Sequence, residues 1–269
     1  MKGTTKSLGQ KDKNDKFYTK NEIVDYCLSF IEIDKYDKII EPSAGNGAFL
    51  NKLPNAIGYD IAPAGNNIIQ QDFLLLDVPK EKNILVIGNP PFGVQSNLAI
   101  KFFNKAAEFC DTIAFILPRS FCKDSIKNRL DLRFHLIKEE FLPEDSFLLN
   151  NENYSVPCVF QVWERQNIER KKIKFPLTSE YFDFTKEINK ADFRIQRVGG
   201  NAGKAFLDKK GAISSNYYVI NKSNYKTEEL INIINTIAFP SIALTVGPKS
   251  LSKGELCYEV KKKFEELEN

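Results

Sequence analysis

The strongest constraint on this chain is the tetrapeptide Asn89-Pro-Pro-Phe92, which directly follows the apolar run Asn83-Ile-Leu-Val-Ile-Gly88. The run reads as a buried strand that ends at the tetrapeptide. A residue before proline is pushed out of the helical region, and proline fixes its own φ, so Asn89 and Pro90 have little conformational freedom. The Asn89 side-chain oxygen and the Pro90 carbonyl can then accept the two hydrogens of one amino group, and Phe92 offers a face for a planar ring. A proline-bounded loop after a core strand explains the same four residues, so the tetrapeptide alone leaves both readings open.

Upstream, Lys38-Ile-Ile40 leads into Glu41-Pro-Ser-Ala-Gly-Asn-Gly47 and then Ala48-Phe-Leu-Asn-Lys-Leu53, which reads as strand, glycine-rich turn and helix. Gly45 and Gly47 can take positive φ and present backbone N–H groups to a ligand. The turn lacks the dinucleotide Gly-x-Gly-x-x-Gly pattern and the Lys-Ser/Thr of a phosphate-binding loop, so no pyrophosphate site is implied. A second strand, Ala56-Ile-Gly-Tyr-Asp-Ile61, carries Asp60 at its end, 19 residues after Glu41. An acid there can accept both hydroxyls of a ribose, with Ile61 beside the adenine ring. A third, Ile68-Ile-Gln-Gln-Asp-Phe73, ends in Asp72 and Phe73, which would bond and flank the same adenine. In an open parallel α/β sheet ligands bind beyond the carboxyl ends of the strands, so Glu41, Asp60, Asp72 and Asn89 are expected to converge. Singly, each is as well explained by a solvated acid or a helix cap.

The ordered set Phe17-Tyr-Thr19, Glu41 to Gly47, Tyr59-Asp-Ile61, Gln71-Asp-Phe73 and Asn89 to Phe92 resembles the S-adenosylmethionine-dependent methyltransferases that act on exocyclic amino groups, and among them the adenine-N(6) DNA methyltransferases with a C-terminal recognition domain. The resemblance covers about residues 16–165. It implies an α/β, Rossmann-like, seven-stranded methyltransferase sheet, S-adenosylmethionine as cofactor, and DNA as partner. It also implies that Tyr18 and Thr19 close over the methionine part and that Glu41 faces its amino group through the turn containing Ser43, Gly45 and Gly47. Asp60 would take the ribose, Asp72 the adenine amino group, and Phe73, Ile61 and Pro91 would line the adenine pocket. Asn89, Pro90 and Phe92 would hold a flipped target base. Ser43 stands where relatives often have Ala or Cys, and Lys20 where many have proline. RNA adenine is the alternative substrate, followed by a protein glutamine; a catalytically silent nucleic-acid-binding subunit is the non-enzymatic reading.

Further along, Asn97 to Cys110 reads as an amphipathic helix, Thr112 to Leu117 as a strand and Ser120 to Arg133 as mainly helix. Phe134 to Leu142 and Ser155 to Trp163 read as a terminal antiparallel pair, and the loop between them would bring Phe147 or Tyr154 to the base, with Phe147 preferred. Pro157-Cys158 has the form of a carbon-5 cytosine nucleophile but falls within a predicted strand, so that role is rejected. Residues 166–269 are expected to form a small recognition domain, in which Phe193 to Lys204 combines Arg194, Arg197 and Lys204 with Gly199, Gly200 and Gly203. This reads equally as a nucleic-acid loop or as a solvated glycine-rich hairpin. The loop Gly247 to Lys253 is a weaker candidate, and Lys253 to Glu268 reads as a charged helix packed on the same domain.

With 42% hydrophobic and 12% aromatic residues the composition is globular, and the net charge of +3 permits nucleic-acid binding without requiring it. Five cysteines without a Cys-x-x-Cys pair and one histidine argue against disulfides and zinc, so a reducing cytoplasm is expected, with no metal and no membrane partner. The polar residues 1–15 are expected to form a mobile tail.

Overall fold

A computed structural model describes residues 17–77, 83–244 and 248–268. The expected 1–15 tail and Gly247 lie outside the described residues. The chain divides into two compact units between Lys172 and Ile173.

The first unit holds β1 (Tyr18–Thr19), α1 (Asn21–Leu28), β2 (Lys38–Glu41), β3 (Ala56–Asp60), β4 (Ile68–Gln70), β5 (Ile84–Gly88), α2 (Asn97–Ala106), β6 (Thr112–Pro118), α3 (Asp124–Lys127), β7 (Phe134–Phe141), β8 (Phe147–Leu149), β9 (Glu152–Tyr154) and β10 (Cys158–Arg165). Seven of these strands form one sheet in the order β4-β3-β2-β5-β6-β10-β7. The first five in that order are parallel. Strand β10 is antiparallel to both β6 and β7, which makes the predicted terminal pair. This is the α/β, Rossmann-like, seven-stranded sheet expected from the sequence.

Strand side chains alternate between faces, and here each face has its own core. Ile84, Val86, Ile113, Phe115 and Leu117 enter one cluster, and Leu85, Ile87, Ala114 and Ile116 enter the other. All residues of β5 and β6 are therefore buried, which explains their unbroken apolar runs. Truncating Phe115 to Ala in such a core costs about 3–5 kcal/mol. Val159 and Trp163, four residues apart on β10, share a face and join the first cluster, while the register shift beside them skips Ile137 on β7.

Two predicted helices differ. Ala48 to Leu53 forms turns and a single short 3-10 segment at Leu50–Lys52, because Pro54 and the left-handed Asn55 (φ 59°) stop the chain before two full turns. Ser120 to Arg133 contains a 3-10 turn at Arg119–Cys122 and the short helix α3 only. Its remaining backbone groups are taken by other partners: Asn104 accepts from the Asp131 N–H, and Arg170 donates to the Leu130 and Lys127 carbonyls.

The second unit has β11 (Phe182–Thr185), β12 (Phe193–Gln196), β13 (Ala205–Phe206), β14 (Asn216–Asn221), α4 (Thr227–Thr236), α5 (Pro240–Ala243) and α6 (Lys253–Glu268). Its strands form an antiparallel sheet in the order β11-β14-β12-β13. Helix α6 spans the residues read as a helix, and Leu256, Val260 and Phe264, one turn apart, bury against Phe182, Val219 and Leu230.

Candidate functional site

Because β2, β3, β4, β5 and β6 run parallel, their carboxyl ends lie along one edge of the sheet. Glu41, Asp60, Asp72, Asn89 and Arg119 stand at or just beyond those ends. Arg119 carries the same strand-end signal as Asp60 and Asn89 but belongs to none of the motifs named from the sequence.

Glu41 closes β2 and is 2% exposed. Its Oε2 accepts the Leu50 N–H at 2.7 Å, which holds the far end of the glycine turn against the strand. Burial pushes its carboxyl up to about 8, although backbone N–H groups of Leu50 and Phe49 oppose the shift. Within the turn Gly45 and Gly47 have φ of 56° and 83°, the left-handed region that favours glycine. The Gly45 N–H donates to Asp60 Oδ2 at 2.8 Å, and Asp60 Oδ1 accepts from Ala62 at 2.8 Å. Asp60 thus ties two strand ends together while remaining half-buried at the edge.

The N-terminal segment reaches both parts of the site. A side-chain carbon on Gly45 would touch the Tyr18 ring at 3.4 Å, so Tyr18 covers the glycine turn. Thr19 is buried, and its Oγ1 accepts a hydrogen bond from Asn89 Nδ2 at 3.3 Å. Strand β1 is anchored by pairing with β8, and Lys20, despite replacing the proline of many relatives, continues the anchor through its N–H to the Ser146 carbonyl. The Asn89 carbonyl accepts from Ser43 Oγ at 3.1 Å. Ser43 therefore joins the glycine turn to the Asn-Pro-Pro-Phe bracket.

With its nitrogen committed to Thr19, Asn89 Oδ1 is left buried and without a partner among the described residues. Pro90 is buried as well, and no hydrogen bond reaches its carbonyl among the described residues. Phe92 is half-buried between the two cores, and its carbonyl accepts from Leu98 and Ala99 at the start of α2, which fixes the bracket to that helix. Two acceptors and a ring edge are thereby held ready at the end of β5. Pro91, within the bracket, and Ile61, after β3, are both exposed, Ile61 at 69%. Asp72 caps the following turn through its Oδ1 and the Leu74 N–H.

Three expectations are corrected. The Phe73 ring is enclosed in the core, stacked on Phe102 with centroids 5.4 Å apart, so it cannot flank a ligand ring. Phe147 is 1% exposed, because its pairing with Thr19 turns it into the core, and it is not available to a base. Tyr154, the other aromatic candidate of that loop, is stacked on Phe17 at 4.6 Å and is half-buried. In the second unit Arg194 is engaged: its guanidinium bonds both oxygens of Asp208 and Asn216 and lies over Phe206. Arg197 and Lys204 are exposed, and Gly199 and Gly203, at φ 109° and 88°, shape the β12–β13 hairpin that carries them. Phe193 to Lys204 thus forms β12 and the turn of this hairpin, in the second unit.

Cys158 is buried in β10, and burial pushes its thiol far above the usual range, so a thiolate there is disfavoured. No disulfide is present among the described cysteines, and no group of described residues is placed to hold a metal ion. No helix among the described residues is long and apolar enough to cross a membrane. A cleft of about 680 Å³ lies at the amino edge, where Arg129 and Arg133 are already paired with Asn97 and Asp131.

No family model matches the chain. It is 34% identical over 105 residues to the type II methyltransferase M.HincII of Haemophilus influenzae, covering 35% of this chain and 19% of that protein. It is 29% identical over 163 residues to the protein Enhanced Downy Mildew 2 of Arabidopsis thaliana, covering 54% of this chain and 12% of that one. The chain thus spans about a fifth of the length of the type II methyltransferases it matches, 19% and 18%. Among solved structures it is similar to the magnesium protoporphyrin IX methyltransferase of Synechocystis with bound S-adenosylmethionine, at 12% identity and a TM-score of 0.39 over 54% of this chain and 77% of that one. The glycine turn, the acid at the end of β3 and the covering Tyr18 have the chemistry to hold S-adenosylmethionine. Over those 105 residues the chain is similar in sequence to type II methyltransferases, and its motif order agrees with the resemblance drawn from the sequence.

Proposed function

We propose that the chain methylates the exocyclic amino group of adenine in DNA at specific sites. The observation that carries this reading is the buried Asn89 Oδ1 beside the Pro90 carbonyl, both without a partner among the described residues. A buried acceptor without a donor is costly, and an amino group with two hydrogens relieves it at both oxygens. S-adenosylmethionine supplies the activated methyl group.

The amino nitrogen of adenine is a poor nucleophile because its lone pair is delocalised into the ring. Acceptors on both N–H bonds direct that pair out of the ring plane. As positive charge grows on the nitrogen, Asn89 and Pro90 stabilise it without reorganising, because Thr19, Ser43 and the two prolines already hold them. One such preorganised group is typically worth ~10²- to 10³-fold in rate. Phe92 stacks on the base once it has left the duplex. Gly45, Gly47 and Asp60 hold the cofactor, with Glu41 behind the turn and Asp72 and Ile61 at its adenine. The second unit, through Arg197 and Lys204, contributes substrate recognition.

Sequence relationship to a type II methyltransferase favours DNA over RNA as substrate. The test is transfer of tritiated methyl groups to duplex DNA, single-stranded DNA, total RNA and protein extract, followed by nucleoside and amino-acid analysis. N(6)-methyladenine from duplex DNA is expected. Label in RNA alone would move the assignment to RNA adenine, and label on a glutamine or on cytosine carbon-5 would overturn it.

A further inference from the structure

The site edge carries one cation that the reading above leaves without a task. Gly88 pairs with Phe115, so Arg119, which follows the last residue of β6, stands on the strand next to Asn89 and about 10 Å further out along it. The two turns are joined directly. Ser120 Oγ lies 2.9 Å from Ser96 Oγ, which links the residue after Arg119 to the segment that leaves Phe92. That segment is tightly turned: Gly93, Gln95 and Ser96 have φ of 68°, 52° and 62°, and a side-chain carbon on Gly93 would come within 2.7 Å of Leu98.

Arg119 differs from the other six arginines of the chain. Each of those donates to a carboxylate, an amide oxygen or a carbonyl. Arg119 has no ion pair among the described residues, and its Nε is buried without a hydrogen-bond partner. Its guanidinium is instead braced 5.1 Å from the centre of the Phe141 ring, at the carboxyl end of β7. A half-buried guanidinium with an unmet donor is matched by an anion with two oxygens in its plane, and phosphate has that geometry. The anion that accompanies an adenine target is the phosphate of its own backbone. A protein substrate brings none.

We propose that Arg119, braced on Phe141, grips a backbone phosphate of the nucleic-acid substrate beside the target nucleotide. The proposal rests on the amino-group reading of Asn89 and names the contact that sets the register of the strand over it. Positioning, not base recognition, is the role, since phosphate contacts carry no sequence information.

The test combines a variant with a modified substrate. Duplex oligonucleotides carrying the methylated sequence, with single uncharged methylphosphonates placed at each position around the target adenine, are titrated against the full chain and Arg119→Ala. One position is expected to weaken binding by the wild type about tenfold and the variant hardly at all, and Arg119→Ala should lower the slope of log affinity against log salt by about 1. S-adenosylmethionine affinity, read by calorimetry, should be unchanged. Equal penalties for both proteins at every position would overturn the phosphate contact while leaving the amino-group reading intact. A flat methylphosphonate profile on the wild type alone overturns it too, whether or not the variant folds. Failure of the wild type to bind or methylate any nucleic acid would instead sink the parent reading.

Discussion

Asn89 donates its side-chain nitrogen to Thr19 Oγ1 at 3.3 Å, and this bond orients the amide so that Oδ1 is the group left buried and unmatched. The orientation assigns different duties to neighbouring residues. Asn89→Ala is expected to lower single-turnover methyl transfer by roughly 10²-fold or more with cofactor affinity retained, since the lost acceptor acts mainly as charge develops. Phe92→Ala should instead weaken capture of the base by about 1–3 kcal/mol, the scale of one lost stacking contact. Rapid-quench assays and equilibrium binding on both variants separate the two effects; a Phe92 variant impaired only in rate would contradict the stacking role.

Asp60 accepts from Gly45 and Ala62, so it shapes the glycine turn as well as offering oxygen to a ribose. Asp60→Ala should lower S-adenosylmethionine affinity by roughly 10- to 10²-fold, the loss expected from removing a charged hydrogen-bonding group at about 1.5–3 kcal/mol. The rate of the bound complex should change less, because the ribose is remote from the methyl group. Calorimetric titration giving wild-type affinity would remove Asp60 from the cofactor site.

The strand ends were legible because each rests on a local signal: an apolar run closed by a polar residue, a glycine turn, a pair of prolines. Glu41, Asp60, Asp72 and Asn89 could be placed from such signals once the sheet was taken as parallel. What remained illegible depends on contacts distant in sequence. Phe147 is buried because β8 pairs with a two-residue strand more than a hundred residues earlier, and Phe73 because α2 brings Phe102 to it. Arg194 reads as a free cation until Asp208 and Asn216 are folded beside it. The Thr19 and Ser43 bonds to Asn89 span 70 and 46 residues, and no local pattern announces them.

Cys158 lies on β10 opposite Pro118, fully buried, with its thiol pushed up by desolvation. Substitution by Ser should leave methyl transfer nearly intact and cost some stability, because a hydroxyl replaces a thiol in an apolar cluster that includes Phe147 and Phe160. Thermal melts and transfer assays on the same preparation check both halves. A folded variant without activity, together with a covalent adduct on a fluorinated cytosine substrate, would replace the amino-group mechanism by a cysteine nucleophile.

Glu41 gives the free protein a specific pH dependence. Its carboxyl titrates near 8 in the fold against a usual value of 4.5, because burial disfavours the charge. A carboxyl with a raised folded value contributes stability that is fully present below its unfolded value and is lost as pH rises through the folded one. The cofactor-free protein should therefore lose stability between about pH 4.5 and 8 relative to Glu41→Gln, which cannot ionise. The cationic amino group of S-adenosylmethionine near the turn favours the charged carboxylate, so binding at pH 7 should drive a proton off Glu41. Calorimetry in buffers of different ionisation enthalpy measures that release directly. Proton release is expected for the wild type and should be largely absent in Glu41→Gln; equal release by both would show that Glu41 does not answer the charge of the cofactor.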